Sequence, residues 1–545
     1  MKQKTPAFGV MLDVSRNGVL TVESIKAMAQ DLARMGYNTL MLYTEDTYEV
    51  QDEPYFGHLR GRYSMEELRE IVAFCEPLGL EVIPCVQSLA HLYTLFRWPR
   101  FNALRDIDDI LLADEEETYV LIEKMFASLR KAFTSKKIHI GMDEAAHVGL
   151  GNYLKKHGYT EPYSILCRHL ARVCEIAKKY DFEPMLWGDM FLSLCNHDRV
   201  IFDDAPTEPD QDKLVLPEKV SLVYWDYYHT EKEHFDMMLS TYKKLGRPVW
   251  FAGGAWKWGS FSPDNAFSLR HAKGALAACR ENAPAGIFFT VWGDDGAECL
   301  PQAVLPALYA AACYYRGETD EAVIREGFEA QFGIPFDDFR LLDLNDGTET
   351  GVRAQDAVFN PEKYLLYNDP FLGLYDPTLT GEEPAKFAHY AARLAPYGDH
   401  PRFGKLFASM TALCRALTLK ATLGKDTRKA YLAGDKAALS ALLPRYTACR
   451  EAVGDFLRAY RAMWLADQKP FGLEVQELRL GGLMARLDAC RERLAAHLET
   501  GEEIAELEEP VLDHKCEGEA FRAGPVRIPK WYTAASPNLI FDSPV

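Results

Sequence analysis

The sequence predicts an α/β architecture, a (β/α)8 TIM barrel followed by an α-helical C-terminal domain. Three observations predict it. Short apolar runs of β character alternate with amphipathic helical stretches through the first 315 residues, eight runs in all. The strand signal then fades after Ala312, and helical periodicity dominates residues 384–500. Strands alternating with helices imply parallel βαβ units, and eight such units close into a barrel. An open doubly wound sheet is the alternative topology.

The strand candidates are Phe8–Asp13, Asn38–Tyr43, Leu80–Val86, Lys137–Gly141, Glu183–Trp187, Val220–Trp225, Pro248–Phe251 and Gly286–Trp292. Between them, apolar residues recur at helical spacing in Val22–Met35, Met65–Leu78, Glu115–Phe133, Tyr163–Tyr180, Glu231–Leu245 and Asn265–Glu281. Residues 190–219 lack a clear helix, so one crossover is expected to be irregular. Residues 318–331 read as a helix, and residues 340–383, rich in Asp, Asn, Gly, Pro and Tyr, as loop. The expected boundaries are a catalytic barrel over 1–316, a helical domain over 317–505, and a tail over 506–545 packed on the body.

The composition excludes several classes. Hydrophobic residues make up 48% and charged residues 26%, a globular balance with ample material for a core. Sixty-one basic residues against 80 acidic ones leave a net charge of −19. A nucleic-acid binder advertises a basic face, so neither nucleic acid nor an anionic membrane is an expected partner. The start, MKQKTPAFGVMLDV, has no apolar run of signal-peptide length, and no later stretch approaches 18 uncharged apolar residues. The twelve cysteines are scattered without a C-x-x-C pair, which reads as buried reduced thiols and a cytoplasmic location.

In a barrel enzyme the active site lies at the C-terminal ends of the strands. Those ends carry Glu45 and Asp46, His91, Asp143 and Glu144, Trp187 and Asp189, Tyr224 and Asp226, Trp256 and Trp258, then Trp292 and Asp294. The set contains acids, aromatics and one histidine, but no lysine or arginine. Such a rim suits an uncharged polyhydroxylated ligand rather than a phosphate, and makes glycoside hydrolysis the leading reaction class. In isolation an Asp-Glu pair after a strand is more often a helix cap, and a single histidine a plain polar residue. His139 and His147 flank Asp143 at spacings that suggest a metal site. His139 lies on a predicted strand, however, so the set shares no helical face and His139 reads as structural.

The segment KKIHIGMDEAAHVGLG, residues 136–151, resembles the strand-4 signature His-x-Gly-Gly-Asp-Glu of glycoside hydrolase family 20, the β-N-acetylhexosaminidases. Met142 stands at the second glycine. The resemblance runs through about 300 residues: GVMLDVSRN at Gly9–Asn17, LMLYTED at Leu40–Asp46, the segment ending in His91, Tyr224-Trp225-Asp226, and Trp292-Gly293-Asp294. It looks similar to some intracellular bacterial members with a helical C-terminal domain.

The resemblance implies an exo-β-N-acetylhexosaminidase that releases terminal β-linked GlcNAc, or GalNAc, from oligosaccharides or glycoconjugates with retention. The substrate's own 2-acetamido oxygen would be the nucleophile. Glu144 would be the acid/base, Asp143 would orient the acetamido group, and Tyr224 would donate a hydrogen bond to its oxygen. His91 and Asp46 would pair behind Glu144. Trp187, Trp256 and Trp292 would wall the pocket, with Trp256 favoured over Trp258. Asp226 and Asp294 would accept sugar hydroxyls. Arg16 would contact substrate or form a salt bridge with Asp13, and Asp189 reads as a solvated loop acid or helix cap. No metal or organic cofactor is implied, and a homodimer is left open.

The family arginine five residues before the strand-1 aspartate is Phe8 here, and the usual glutamate is the shorter Asp294. Both departures imply weakened recognition at C4. A catalytically silent barrel that binds N-acetylated sugars is the alternative reading. A glycosidase acting on protein-linked GlcNAc would carry paired aspartates at strand 4.

Overall fold

A computed structural model describes residues 6–194, 215–344, 361–512 and 530–538. Eight strands close into a barrel in chain order: β1 (Ala7–Asp13), β2 (Thr39–Tyr43), β3 (Glu81–Cys85), β4 (Lys137–His139), β5 (Glu183–Trp187), β6 (Ser221–Trp225), β7 (Val249–Gly254) and β8 (Gly286–Val291). Every pairing is parallel, and β8 returns to β1 in the register Phe8↔Ile287. All eight predicted strands are present, most with ends shifted by a residue or two. β4 is the shortest, stopping at His139 where the sequence predicts a strand to Gly141. β2, β7 and β8 are buried along their whole lengths, which is why they read as unbroken apolar runs.

The helices of the barrel region are α1 (Val22–Met35), α2 (Met65–Cys75), α3 (Glu116–Arg130), α4 (Asn152–His157), α5 (Pro162–Lys179), α6 (Asp189–Leu194), α7 (Lys232–Lys243), α8 (Asn265–Asn282) and α9 (Leu305–Tyr315). Their ends follow local chemistry. The Thr21 hydroxyl accepts the Ser24 N–H to start α1, and Gly36, at φ 96°, ends it. Ser64 and Glu67 form a reciprocal capping box on α2. The expected irregular crossover begins with the short α6, and residues 195–214 lie outside the described part.

The chain forms two compact units. The first comprises Met1–Ala255, Ser268–Trp292 and Ala307–Thr319; the second comprises Trp256–Phe267, Gly293–Pro306 and Asp320–Val545. The second unit holds α10 (Glu321–Phe332), α11 (Phe336–Phe339), α12 (Pro361–Tyr367), α13 (Glu383–Leu394), α14 (Gly404–Lys420), α15 (Leu423–Leu432), α16 (Lys436–Asp467), α17 (Leu473–Thr500), α18 (Ala505–Glu508) and α19 (Trp531–Ala535). Helix α12 corrects the reading of 340–383 as loop: Tyr364, Leu365, Leu366 and Tyr367 are all buried, and packing orders a segment whose composition looks irregular. Gly404–Leu432 contains a window long and apolar enough to cross a membrane, and 72% of it is buried within the fold. The ten described cysteines are free thiols, and burial pushes the pKa of all ten up.

The segments that follow β7 and β8 belong to the second unit, tied there by buried polar groups. Ser260 and Ser262 donate to the Glu362 carboxylate, and Asn265 Nδ2 donates to Asp343 Oδ1 at 2.7 Å. Lys363, fully buried, pairs with Asp295 and Glu298, and Arg479 pairs with the same two acids at 3.0 and 2.9 Å. Two cations facing two anions leave no net charge to desolvate.

Phe8 does not lie near the strand ends that carry the acids. It occupies the start of β1, its ring between Tyr37 at 4.4 Å and Tyr315 at 4.0 Å, with 1% of its surface exposed. The inference of weak C4 recognition from Phe8 therefore has no structural basis, because the ring is a core residue. Phe8→Ala is expected to lower stability by about 3–5 kcal/mol, the usual cost of emptying a buried aromatic site, as read by urea denaturation.

Candidate active site

Neighbours on a regular strand point to opposite faces, so Asp143 and Glu144 can share a pocket only beyond the end of β4. The chain there bends through left-handed backbone at Gly141 (φ 71°), Met142 (φ 71°) and Glu144 (φ 52°). A Cβ at Gly141 would stand 2.0 Å from Gln87 Oε1, so glycine is needed for space as well as conformation. Met142 accepts the conformation without being glycine. The left-handed penalty is about 1–2 kcal/mol, and burying the whole Met side chain contributes about 1.5–3 kcal/mol in return.

With the strand ladder ended, the N–H groups of the bend need other acceptors. Ile140 N–H donates to Met185 O on β5, Met142 N–H to Gln87 Oε1, and Glu144 N–H to Asp189 Oδ2. Gln87 Nε2 also donates to Asp143 Oδ1 at 2.8 Å and to Tyr43 Oη at 2.9 Å. His91 Nε2 lies 3.0 Å from Asp143 Oδ2 and 3.4 Å from Glu144 Oε2. Burial alone would raise the Asp143 pKa, but the His91 charge and the hydrogen bonds from His91 and Gln87 hold it below the usual carboxylate range. Burial would conversely lower the His91 pKa, and the Asp143 charge and hydrogen bond push it up to about 10. Asp143 is thus a half-buried carboxylate, 15% exposed, against an imidazolium. Glu144 beside it has 41% of its side chain exposed.

Around this pair stand Trp187, buried against His139 and Trp292, and Trp292 itself, edge-on to Tyr43. The Arg16 guanidinium lies 5.8 Å from the Tyr43 ring and 5.9 Å from the Trp292 ring, with Nε 3.1 Å from Glu45 Oε1. Burial raises the Glu45 pKa, with Arg16 opposing. His139 is the structural histidine expected: burial lowers its pKa to about 3, and its Nδ1 accepts the Gly141 N–H.

Four expectations are corrected. Asp46 does not pair with His91; it is buried against Arg60, whose Nε and Nη2 both lie 3.2 Å from its Oδ1. Tyr224 faces the helix layer, its ring on Tyr242 of α7 and Phe251, and its hydroxyl donates to Asp226 Oδ2 at 2.8 Å. Asp226, 4% exposed, is not available to a sugar. It also accepts Tyr228 N–H, His229 N–H and His229 Nδ1, with His234 Nε2 at 3.1 Å. Burial would raise its pKa, but the hydrogen bonds and charges of these histidines hold it far below the usual range. Asp189 is not a solvated acid but is 6% exposed beneath the Asp143–Glu144 bend.

Sequence reasoning missed Gln87 and Tyr227. The Tyr227 ring stacks on Trp225 and meets Trp292 edge-on; its hydroxyl has Trp292 and Thr290 as hydrogen-bonding neighbours and lies within electrostatic reach of Asp143. The parity of β6 was the available signal. Val223 pairs with the inward Trp187, which sends Tyr224 to the other face.

Among the described residues, two groups bring metal-ligand atoms within 4.8 Å: His91 with Asp143 and Glu144, and Asp226 with His229 and His234. In the second, the imidazoles stack at 3.5 Å and 12°, so their in-plane lone pairs cannot converge on one ion. The first is the acid pair with its counter-charge.

Residues 8–239 match the family described as "Glycosyl hydrolase family 20, catalytic domain", and residues 337–522 match "Glycoside Hydrolase 20C C-terminal domain". The chain belongs to glycoside hydrolase family 20. Among curated relatives, human hexosaminidase D is 28% identical over 250 residues, spanning 43% of this chain and 47% of that protein. The bovine protein of the same name is 26% identical over 238 residues, spanning 41% and 64%. The chain therefore spans about half to under two thirds of the length of these relatives. Among solved structures, a β-N-acetylhexosaminidase from Bacteroides fragilis aligns with TM-score 0.46 and 19% identity over 60% of this chain and 71% of that one. A family 20 exo-β-N-acetylglucosaminidase from Vibrio harveyi, in complex with N-acetylglucosamine, aligns at 0.45 and 16% over 62% and 59%.

Two further residues expected at the site, Trp256 and Asp294, lie in the second unit. Trp256 stacks on Trp258 at 3.7 Å and 21°, and both are nearly buried. Asp294 is half-buried, and its carbonyl accepts the Gly259 N–H.

A histidine whose pKa rises on folding contributes stability that is complete below its unfolded pKa of about 6.5 and lost as pH climbs through the folded value. Removing His91 also leaves a half-buried carboxylate oxygen of Asp143 without its partner, a cost of about 1–3 kcal/mol. His91→Phe is therefore expected to destabilise the protein by that amount at pH 6. The deficit should shrink toward pH 10, as measured by chemical denaturation at each pH.

Proposed function

We propose that the protein is an exo-acting β-N-acetylhexosaminidase that releases terminal β-linked GlcNAc, or GalNAc, with retention. The observation that carries this reading is the split character of the acid pair. Asp143 is half-buried, 15% exposed, and held ionised by His91 and Gln87, while its chain neighbour Glu144 opens to solvent at 41%. A substrate-assisted reaction needs those two roles. A fixed carboxylate orients the 2-acetamido N–H and balances the charge that develops as its oxygen attacks C1. A solvent-facing acid protonates the leaving oxygen and later activates water. His91 balances the Asp143 charge rather than standing behind Glu144 with Asp46. Tyr227 takes the donor role that the resemblance gives to Tyr224, and Trp187 and Trp292 form the apolar wall. Arg16, paired with Glu45, is the cation offered to sugar hydroxyls. The buried thiols support a reducing, cytoplasmic setting.

Chromogenic β-GlcNAc should be hydrolysed at least about a thousandfold faster than the β-glucoside, since a nucleophile held in place lowers the barrier by several kcal/mol. Equal rates would overturn the substrate-assisted reading. Tyr227→Phe should lower kcat/KM by about 10²–10³, as loss of one donor to a developing charge does, with Tyr224→Phe nearly silent. The reverse order would return the donor role to Tyr224.

A further inference from the structure

Asp189 is a buried acid to which the proposed reaction assigns no step, and it touches the main chain of the residue that performs proton transfer. The bend after β4 is held from both sides by side chains standing in for the missing ladder. Gln87, beyond β3, holds Met142 N–H and the Asp143 carboxylate. Asp189, beyond β5, holds Glu144 N–H at 3.2 Å. The platform under Asp189 has little slack. Trp187 N–H donates to Gly141 O and Gly188 N–H to Val223 O, which ties the end of β5 to both neighbouring strands. A Cβ on Gly188 would stand 2.4 Å from the Tyr242 ring, so the chain one residue before Asp189 lies against α7.

Resting on the functional reading above, we propose that Asp189 is the positioning residue for the acid Glu144, fixing the left-handed turn that aims its carboxyl by accepting its main-chain N–H. Without that acceptor the φ 52° conformation of Glu144 loses its main-chain hydrogen bond to the segment beyond β5, and a non-glycine residue has less reason to remain there. The carboxyl's charge state fits the task. Burial, then the nearby Asp143 charge, raise its pKa to about 7, so near neutrality the site is spared a third full negative charge. An amide oxygen could serve the same N–H.

The test compares Asp189→Asn, which keeps shape and acceptor, with Asp189→Ala, which removes the acceptor. It reads kcat/KM on a phenyl and a 3,4-dinitrophenyl β-GlcNAc glycoside. General acid catalysis contributes about 10²–10⁴-fold and matters least for a leaving group that needs no proton, so D189A should lose about 30-fold or more on the phenyl glycoside and under about 5-fold on the dinitrophenyl one. D189N should lose under about 5-fold on both. Equal losses on both substrates in D189A, or D189N as damaged as D189A, would overturn the proposal, because a merely structural role would not track the leaving group. If D189A does not fold, D189E serves. It retains the acid but moves its oxygen by a methylene, so it should show the selective loss that D189N lacks, and wild-type behaviour would overturn the proposal. Failure of the wild-type protein to hydrolyse either GlcNAc glycoside would instead overturn the functional reading. The Glu144 amide, followed by selective 15N-glutamate labelling, would then decide the positioning role. Its resonance should move in D189A and stay in D189N, and an unmoved resonance in D189A would overturn it.

Discussion

The site depends on one geometric constraint: consecutive strand residues face opposite ways, so the strand that carries two cooperating acids must stop before it reaches them. β4 does so after three residues. Everything nearby follows from that early stop. Gly141 and Met142 carry the turn in left-handed backbone, the orphaned N–H groups are met by side chains from the flanking strand ends, and the two acids arrive in different surroundings. The longer neighbours β3 and β5 supply the frame, each laddered on its far side to β2 or β6.

Electrostatics then separates the two acids. Asp143 receives a histidinium and an amide, and its charge is balanced in place; Glu144 keeps contact with water. Burial would push every carboxyl in this region toward its neutral form, and the number of donors around each decides the outcome. Asp226, with five donors in reach, lies at one extreme. Asp189, with few, lies at the other. Residues of identical chemistry at successive strand ends thus serve distinct ends, and donor count sorts them.

The architecture was legible in the sequence because parallel barrel strands are buried on both faces and read as apolar runs between amphipathic helices. The acid pair and its histidine were legible because their order along the chain follows the strand ends. What sequence reasoning misjudged was parity and partnership. Whether Tyr224 or Trp225 faces inward depends on which neighbour of β6 is itself inward, a cross-strand fact absent from the local pattern. The resemblance pairs Asp46 with His91, yet Arg60, fourteen residues on, is the cation that reaches it. Gln87 carries no charge and matches no motif, so nothing local marked it as the residue that joins Tyr43, Met142 and Asp143. Phe8 was judged from alignment with an arginine, whereas its aromatic neighbours Tyr37 and Tyr315 come from a turn and a helix far apart in the chain.

The buried set Lys363, Arg479, Asp295 and Glu298 has a consequence for how such a chain can be rearranged. The segments after β7 and β8 are numbered among barrel residues but solvated, in effect, by the helical unit: their acids find their counter-ions on α12 and α17. A cut at the apparent sequence boundary near residue 316 would separate two carboxylates from both their cations and leave net negative charge where water had been excluded. The two halves are therefore poor candidates for shuffling as interchangeable modules. In recombination between relatives, the productive crossover points lie where the charge inventory on each side is already closed, and the residue count of a domain is a weak guide to where that is.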